Sequence, residues 1–134
     1  MADVTELRLA FTVRDFDQAL AFYRDALGLE QLADWSSDSG RVVALDAGRA
    51  VLELLDEAQA ETVDTAEAGR RVSGTVRFAL RVADSEATAR RLAEAGAVPV
   101  APPVLTPWGD RNARVEAPDG MQLTLFTPGE PLPG

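Results

Sequence analysis

An α+β fold assembled from two copies of one βαβββ unit is what this sequence predicts. Two observations carry that expectation. The stretch RLAFTVRD at 8–15 returns as RFALRVAD at 77–84, with an arginine leading and an aspartate closing each copy. Both copies alternate apolar and other residues with the two-residue period of a strand, then run into a helical stripe closed by glycine.

In the first copy, LRLAFTV (7–13) sets Leu7, Leu9, Phe11 and Val13 on one face and Arg8, Ala10 and Thr12 on the other. Asp15 stands at a helix N-cap, with Gln18 at the spacing of a capping box. Phe16, Ala19, Leu20, Phe22, Tyr23, Ala26 and Leu27 form the apolar stripe, and Gly28 falls where a left-handed C-cap is expected. A short strand over 30–35 and the loop SSDSG (36–40) lead to two further strands, RVVALD (41–46) and AVLELL (50–55), separated by the turn residues AGR.

The second copy keeps this order. TVRFALRV (75–82) sets Val76, Phe78, Leu80 and Val82 opposite Arg77, Ala79 and Arg81. Asp84 caps a helix that runs to Ala95 and closes at Gly96. A strand near 98–100 follows, then RNARVEA (111–117), the turn Pro118-Asp119-Gly120, and MQLTLFT (121–127).

One domain over 1–134 is expected: module one at about 5–56, a crossover at 57–74, module two at 75–128 and a poorly ordered tail at 129–134. The crossover is polar and rich in Ala and Glu. It reads either as a flexible link or as a short surface helix, with one or two helical turns and with solvated carboxylates over 56–67. Each module's helix must cover the apolar face of its own strands. The opposite face carries Arg8, Arg77, Glu53 and Thr124, and two curled sheets side by side would line one open trough with it.

Composition narrows the chemistry. The 134 residues contain no Cys and no His, and all 13 basic residues are Arg. Disulfides, thiolate nucleophiles, imidazole bases and Schiff-base lysines are therefore excluded. A net charge of −9 disfavours nucleic acid and anionic membrane surfaces. It fits an acidic surface kept for solubility. No apolar run approaches a membrane span, and MADVTELRL lacks the blocks of a signal peptide, so a cytoplasmic location is expected by default.

The segments VRDFDQALAFYRDALGLE (13–30) and WGDRNARVEAPDGMQLTLF (108–126) resemble the vicinal oxygen chelate superfamily, which includes glyoxalase I, extradiol dioxygenases and bleomycin-resistance proteins. The resemblance covers about 6 to 128. It implies paired βαβββ modules as curved mixed sheets around a cleft, helices on the outer face, and a homodimer. In metal-dependent relatives four cleft positions hold a divalent ion. Carried over, these fall on Arg8, Glu53, Arg77 and Thr124. An arginine offers donors and no lone pair, so the expected metal is none and no other cofactor is expected.

The arginine pair then has three readings. It forms a structural salt bridge in the ion's place, with Arg8 or Arg77 forked onto Glu53; or an anion-recognising floor; or the arginines face solvent. Trp35 and Trp108 are candidate walls for stacking a flat ligand, Trp108 foremost, because the resemblance sets its Trp-Gly-x-Arg segment beside the cleft. Phe126 shares the face of Thr124, and Arg81 that of Arg77. Tyr23 reads as core, and Asp15 and Asp84 as caps.

The expected function is a metal-free protein, resembling the bleomycin-resistance branch, that sequesters a planar aromatic antibiotic or metabolite. A lyase, isomerase or oxygenase acting on a small carbonyl or phenolic substrate ranks second. Its base would be Glu53, weakened because an arginine partner normally lowers a carboxylate's pKa. A regulatory or accessory module ranks third.

Overall fold

The computed structural model describes residues 4–118 and 120–129. Asp119 of the Pro-Asp-Gly turn and the tail from 130 onward lie outside the described residues. The strands are β1 (Glu6–Thr12), β2 (Glu30–Asp34), β3 (Val42–Asp46), β4 (Val51–Leu55), β5 (Val76–Arg81), β6 (Val98–Pro99), β7 (Val104–Leu105), β8 (Arg111–Glu116) and β9 (Gln122–Thr127). The helices are α1 (Phe16–Leu20), α2 (Glu57–Ala68) and α3 (Ser85–Glu94).

The two modules join edge to edge in one mixed sheet, ordered β2-β3-β4-β1-β5-β9-β8-β6, with β7 also on β8. The two arginine-led strands meet antiparallel at its centre. On either side the last strand of each module lies parallel to the first, β4 along β1 and β9 along β5. The repeat in sequence is thus a pseudo-twofold in space.

Both expected caps form: Asp15 and Asp84 accept from the backbone N–H groups of Gln18 and Ala87. Phe16, Ala19 and Leu20 of α1 pack on Val43, Leu45, Leu52 and Leu54, with Leu9, Phe11, Val13 and Tyr23 at the margin. Ala89 and Leu92 of α3 pack on Val82, Ala113 and Leu125. Completely buried leucines such as Leu45, Leu54 and Leu125 contribute about 1.5–3 kcal/mol each.

The expected stripe of the first helix fails at Phe22 and Leu27, which are exposed. Over Ala21–Ala26 the helix widens to π-type bonding, with the Leu27 N–H reaching the Phe22 carbonyl. The wider turn rotates those side chains off the face that a regular α-helix would bury.

The crossover departs most from expectation. It holds a 12-residue helix rather than one or two turns, and α2 packs on the sheet face that carries Ala10, opposite the face covered by α1. Asp56 caps its start through the Gln59 N–H, and Gly69 ends it in a left-handed conformation with φ 81°. Ala60 is buried, and Val63 packs against Ala10, Val42 and Leu55. Gly40 permits this docking: a Cβ there would lie 2.3 Å from the Gln59 backbone nitrogen. The carboxylates of Asp64 and Glu67, expected in solvent, are buried at 1% and 3% exposure. With only one large apolar side chain, α2 carries no stripe from which a sequence would reveal its buried side.

Candidate functional site

Strand register places the residues of the α2-covered face in rows. Glu53, Ala10 and Arg77 face one another across β4, β1 and β5. The next row runs Arg8, Ala79, Thr124 and Arg114 across β1, β5, β9 and β8. Ala10 and Ala79 alternate with the long polar chains, and their small size leaves room for guanidinium groups to lie across the sheet.

Arg8 occupies the open end of this trough. Its guanidinium lies 4.6 Å from the Phe126 ring centre and 5.3 Å from that of Trp35. It is ion-paired with Glu6, and its Nη1 stands 3.7 Å from Glu53 Oε2. That single long contact is not the expected fork. Trp35 remains 48% exposed, whereas Phe126 is buried.

Glu53 is buried, and burial pushes its carboxyl above the usual range, against the pull of the Arg77 and Arg8 charges. The expected lowering by arginine is thereby reversed. Ion pairing at 3.7 Å without a close hydrogen bond returns less than removal from water costs. Arg77 is buried and donates to Thr124 Oγ1 at 2.8 Å. Arg81 is largely exposed, with Nη1 3.9 Å from Glu6. Trp108 is exposed in the turn closed by the Gly109 N–H on the Thr106 carbonyl, and no described contact joins it to Arg8 or Glu53.

Toward module two the trough is filled by α2. Arg114, whose side chain is 0% exposed, donates through Nε and Nη2 to Glu67 Oε1 at 3.2 and 2.9 Å. The same oxygen accepts from Thr124 Oγ1 at 2.6 Å, and Glu67 Oε2 accepts from Asn112 Nδ2 at 2.9 Å. Arg114 Nη1 also donates to Asp64 Oδ1 at 2.9 Å. Burial pushes the Asp64 carboxyl up, but donors from Ser73 and Val72 and the Arg114 charge hold it far below the usual range. The residual void beneath α2 measures about 10 Å³, bounded by Ala10, Leu55, Ala60 and Arg77 among others. On the outer side of α2 an open groove of about 580 Å³ runs between Ser39, Thr62, Thr65 and Pro107.

Arg114, Asn112, Asp64 and Glu67 were not expected in the site. The alternation in RNARVE carries a signal for the first two: it sets Asn112 and Arg114 on the face opposite Ala113 and Val115, as it does for Arg8 and Arg77.

The four positions at which relatives hold a divalent ion do not fit one here. Arg8 and Arg77 bring positive charge, and the Thr124 hydroxyl is engaged by Arg77, Arg114 and Glu67. Among the described residues no three His, Cys, Asp or Glu side chains gather as a ligand set.

The Glyoxalase/Bleomycin resistance protein/Dioxygenase superfamily model matches residues 7–125. The chain belongs to that superfamily. Solved structures similar to it include a hypothetical protein from Bacillus halodurans C-125, at 18% identity and TM-score 0.68, covering 95% of this chain and 96% of that one. Methylmalonyl-CoA epimerase from Mycobacterium tuberculosis follows at 22% identity and TM-score 0.67, covering 96% and 91%. A Streptomyces coelicolor methylmalonyl-CoA epimerase in complex with 2-nitronate-propionyl-CoA gives 22% and 0.66, covering 95% and 96%. At these identities the superfamily likeness speaks for the fold alone. No curated protein matches the chain. No helix is long and apolar enough to cross a membrane.

Proposed function

We propose that this superfamily member is a metal-free small-molecule-binding protein that takes a planar aromatic ligand at the open end of its trough. The observation that carries the reading is the Arg8 guanidinium standing over Trp35 and Phe126 in front of the buried Glu53. A flat ring slides against the half-exposed Trp35, and an oxygen of the ligand meets Arg8. Trp108, foremost in the sequence reading, is exposed and without a described contact to Arg8, and this reading gives it a place at the rim. The homodimer implied by the superfamily stays part of this proposal, as do a cytoplasmic location and the lack of nucleic-acid and membrane partners.

Tryptophan quenching across a panel of aromatic antibiotics and metabolites tests it. Saturable quenching that disappears in Trp35→Phe and persists in Trp108→Phe is expected. Quenching that survives Trp35→Phe would sink the site assignment. Elemental analysis of purified protein is expected to find no divalent metal at stoichiometric level, and one Mn, Fe, Ni or Zn per chain would overturn the metal-free reading.

A second reading is favoured by the raised carboxyl of Glu53 and by the epimerases among the structural neighbours. Glu53 would accept a proton from carbon beside a carbonyl, while Arg8 or Arg77 steadies the oxyanion. Glu53→Gln is expected to abolish any turnover while preserving ligand binding; unchanged turnover would remove Glu53 as the base.

A further inference from the structure

Glu67 is held as a bound carboxylate would be. Four donors converge on its two oxygens: Nε and Nη2 of Arg114, the Thr124 hydroxyl and the Asn112 amide. All three side chains come from β8 and β9, whose positions are fixed by the sheet, and Asp64, one turn before Glu67, also holds Arg114, so the cradle does not depend on the last turn of α2 for its shape. We propose that Arg114, Asn112 and Thr124 form a binding site for small organic carboxylates, occupied in the resting chain by Glu67 and yielded when the last turn of α2 unwinds.

The helix is built for that exchange at this end. Glu67 lies one residue from the end of α2, in a last turn with no basic residue, where a negative charge opposes the helix dipole. The turn is closed by the Gly69 N–H on the Thr65 carbonyl. One turn earlier, Asp64 fastens the helix to Ser73, Val72 and Arg114, and Val63 keeps its apolar contact. Release of Glu67 therefore unwinds one turn and leaves the rest docked, an opening of the kind expected at a helix terminus. An incoming carboxylate replaces a carboxylate, so the charge on the buried Arg114 stays compensated throughout. A second feature marks the site. Asn112 is 4% exposed, and its Oδ1 has no hydrogen-bond partner among the described residues. A hydroxyl beside the ligand's carboxylate would satisfy that acceptor.

This goes beyond the aromatic-ligand reading and does not rest on it: Arg114 stands across β5 and β9 from Arg8, so the cradle is a separate site. Its test uses propionate, which has no ring and so reports on the cradle alone; failure here leaves the tryptophan experiment untouched. Thermal denaturation of Glu67→Ala is followed in sodium propionate and in sodium chloride at equal ionic strength. Saturable stabilisation by propionate is expected, with an apparent affinity at least tenfold above that of the wild-type chain, where Glu67 competes. Asn112→Ala in the same background is expected to weaken it about tenfold. Propionate acting no differently from chloride on Glu67→Ala would overturn the proposal. Should Glu67→Ala not fold, Glu67→Gln takes its place, and propionate affinity no higher than wild type would likewise overturn it. Lactate is expected to bind more tightly than propionate; equal affinities would overturn the role given to Asn112 Oδ1.

Discussion

Arg8 and Arg77 begin matching strands and have opposite surroundings. Arg8 stands at the uncovered end of the trough against two aromatic rings, with a side chain still 24% exposed. Arg77 lies under α2 and is bonded to Thr124. The carboxylates divide in the same way. Against module two, Asp64 and Glu67 of α2 take several close hydrogen bonds each, with Arg114 common to both. In module one, Glu53 is buried beside a single ion pair at 3.7 Å, and its charged form is penalised. A duplicated scaffold thus carries a densely hydrogen-bonded polar core on one side and, on the other, a buried carboxyl with a single long ion pair.

Substitution of the two module-specific arginines gives the largest contrast. Arg114→Met removes the buried arginine that pairs with Glu67 and one of the two arginines that pair with Asp64, and a loss of about 3–5 kcal/mol is expected in urea denaturation. Arg8→Met removes the ion pairs of a partly exposed guanidinium with Glu6 and Glu53, worth about 0–1 kcal/mol each, yet should abolish quenching by aromatic ligands. Equal destabilisation by the two would break the division between a densely bonded half and an open half.

Acid and base sensitivity should divide along the same line. The Asp64 carboxyl is depressed in the folded chain. Its contribution is therefore complete above the unfolded value of about 3.9 and is lost as pH falls toward the folded one. The Glu53 carboxyl is raised. It carries no penalty below the unfolded value of about 4.3, and stability declines as pH rises from there through the folded value. Asp64→Asn is expected to cost about 1–3 kcal/mol at neutral pH, by leaving buried donors imperfectly matched. Glu53→Gln should stabilise the neutral-pH protein and flatten the decline above the carboxylate range. Denaturant midpoints measured from pH 3 to 8 check both; a Glu53→Gln protein less stable than wild type at pH 7 would contradict the burial argument.

The strand pattern and caps made most of this architecture readable, because alternation and capping are local properties of the chain. Arg8, Glu53, Arg77 and Thr124 could be set on one face for the same reason, and Trp35 and Phe126 do meet Arg8. What escaped was tertiary. The carboxylates of α2 look solvated because the sequence of 57–68 has no apolar side, and nothing local tells that Arg114 waits opposite them on a strand far along the chain. The exposure of Phe22 and Leu27 depends on a π-type widening that periodicity assumes away.

The smallest effect is expected at Arg81, which shares the face of Arg77 but projects beyond the end of the polar row. Its only described ion pair is to Glu6 at 3.9 Å, and Glu6 is held more closely by Arg8. Arg81→Gln should change stability by less than about 0.5 kcal/mol. Its value lies in Arg8: if Glu6 orients that guanidinium by itself, the Trp35 emission and its quenching by ligand stay as in the wild type. A shift of Trp35 emission in Arg81→Gln would mean that the exposed arginine helps set the angle of Arg8 over the two rings. The open half would then extend across β5 into module two.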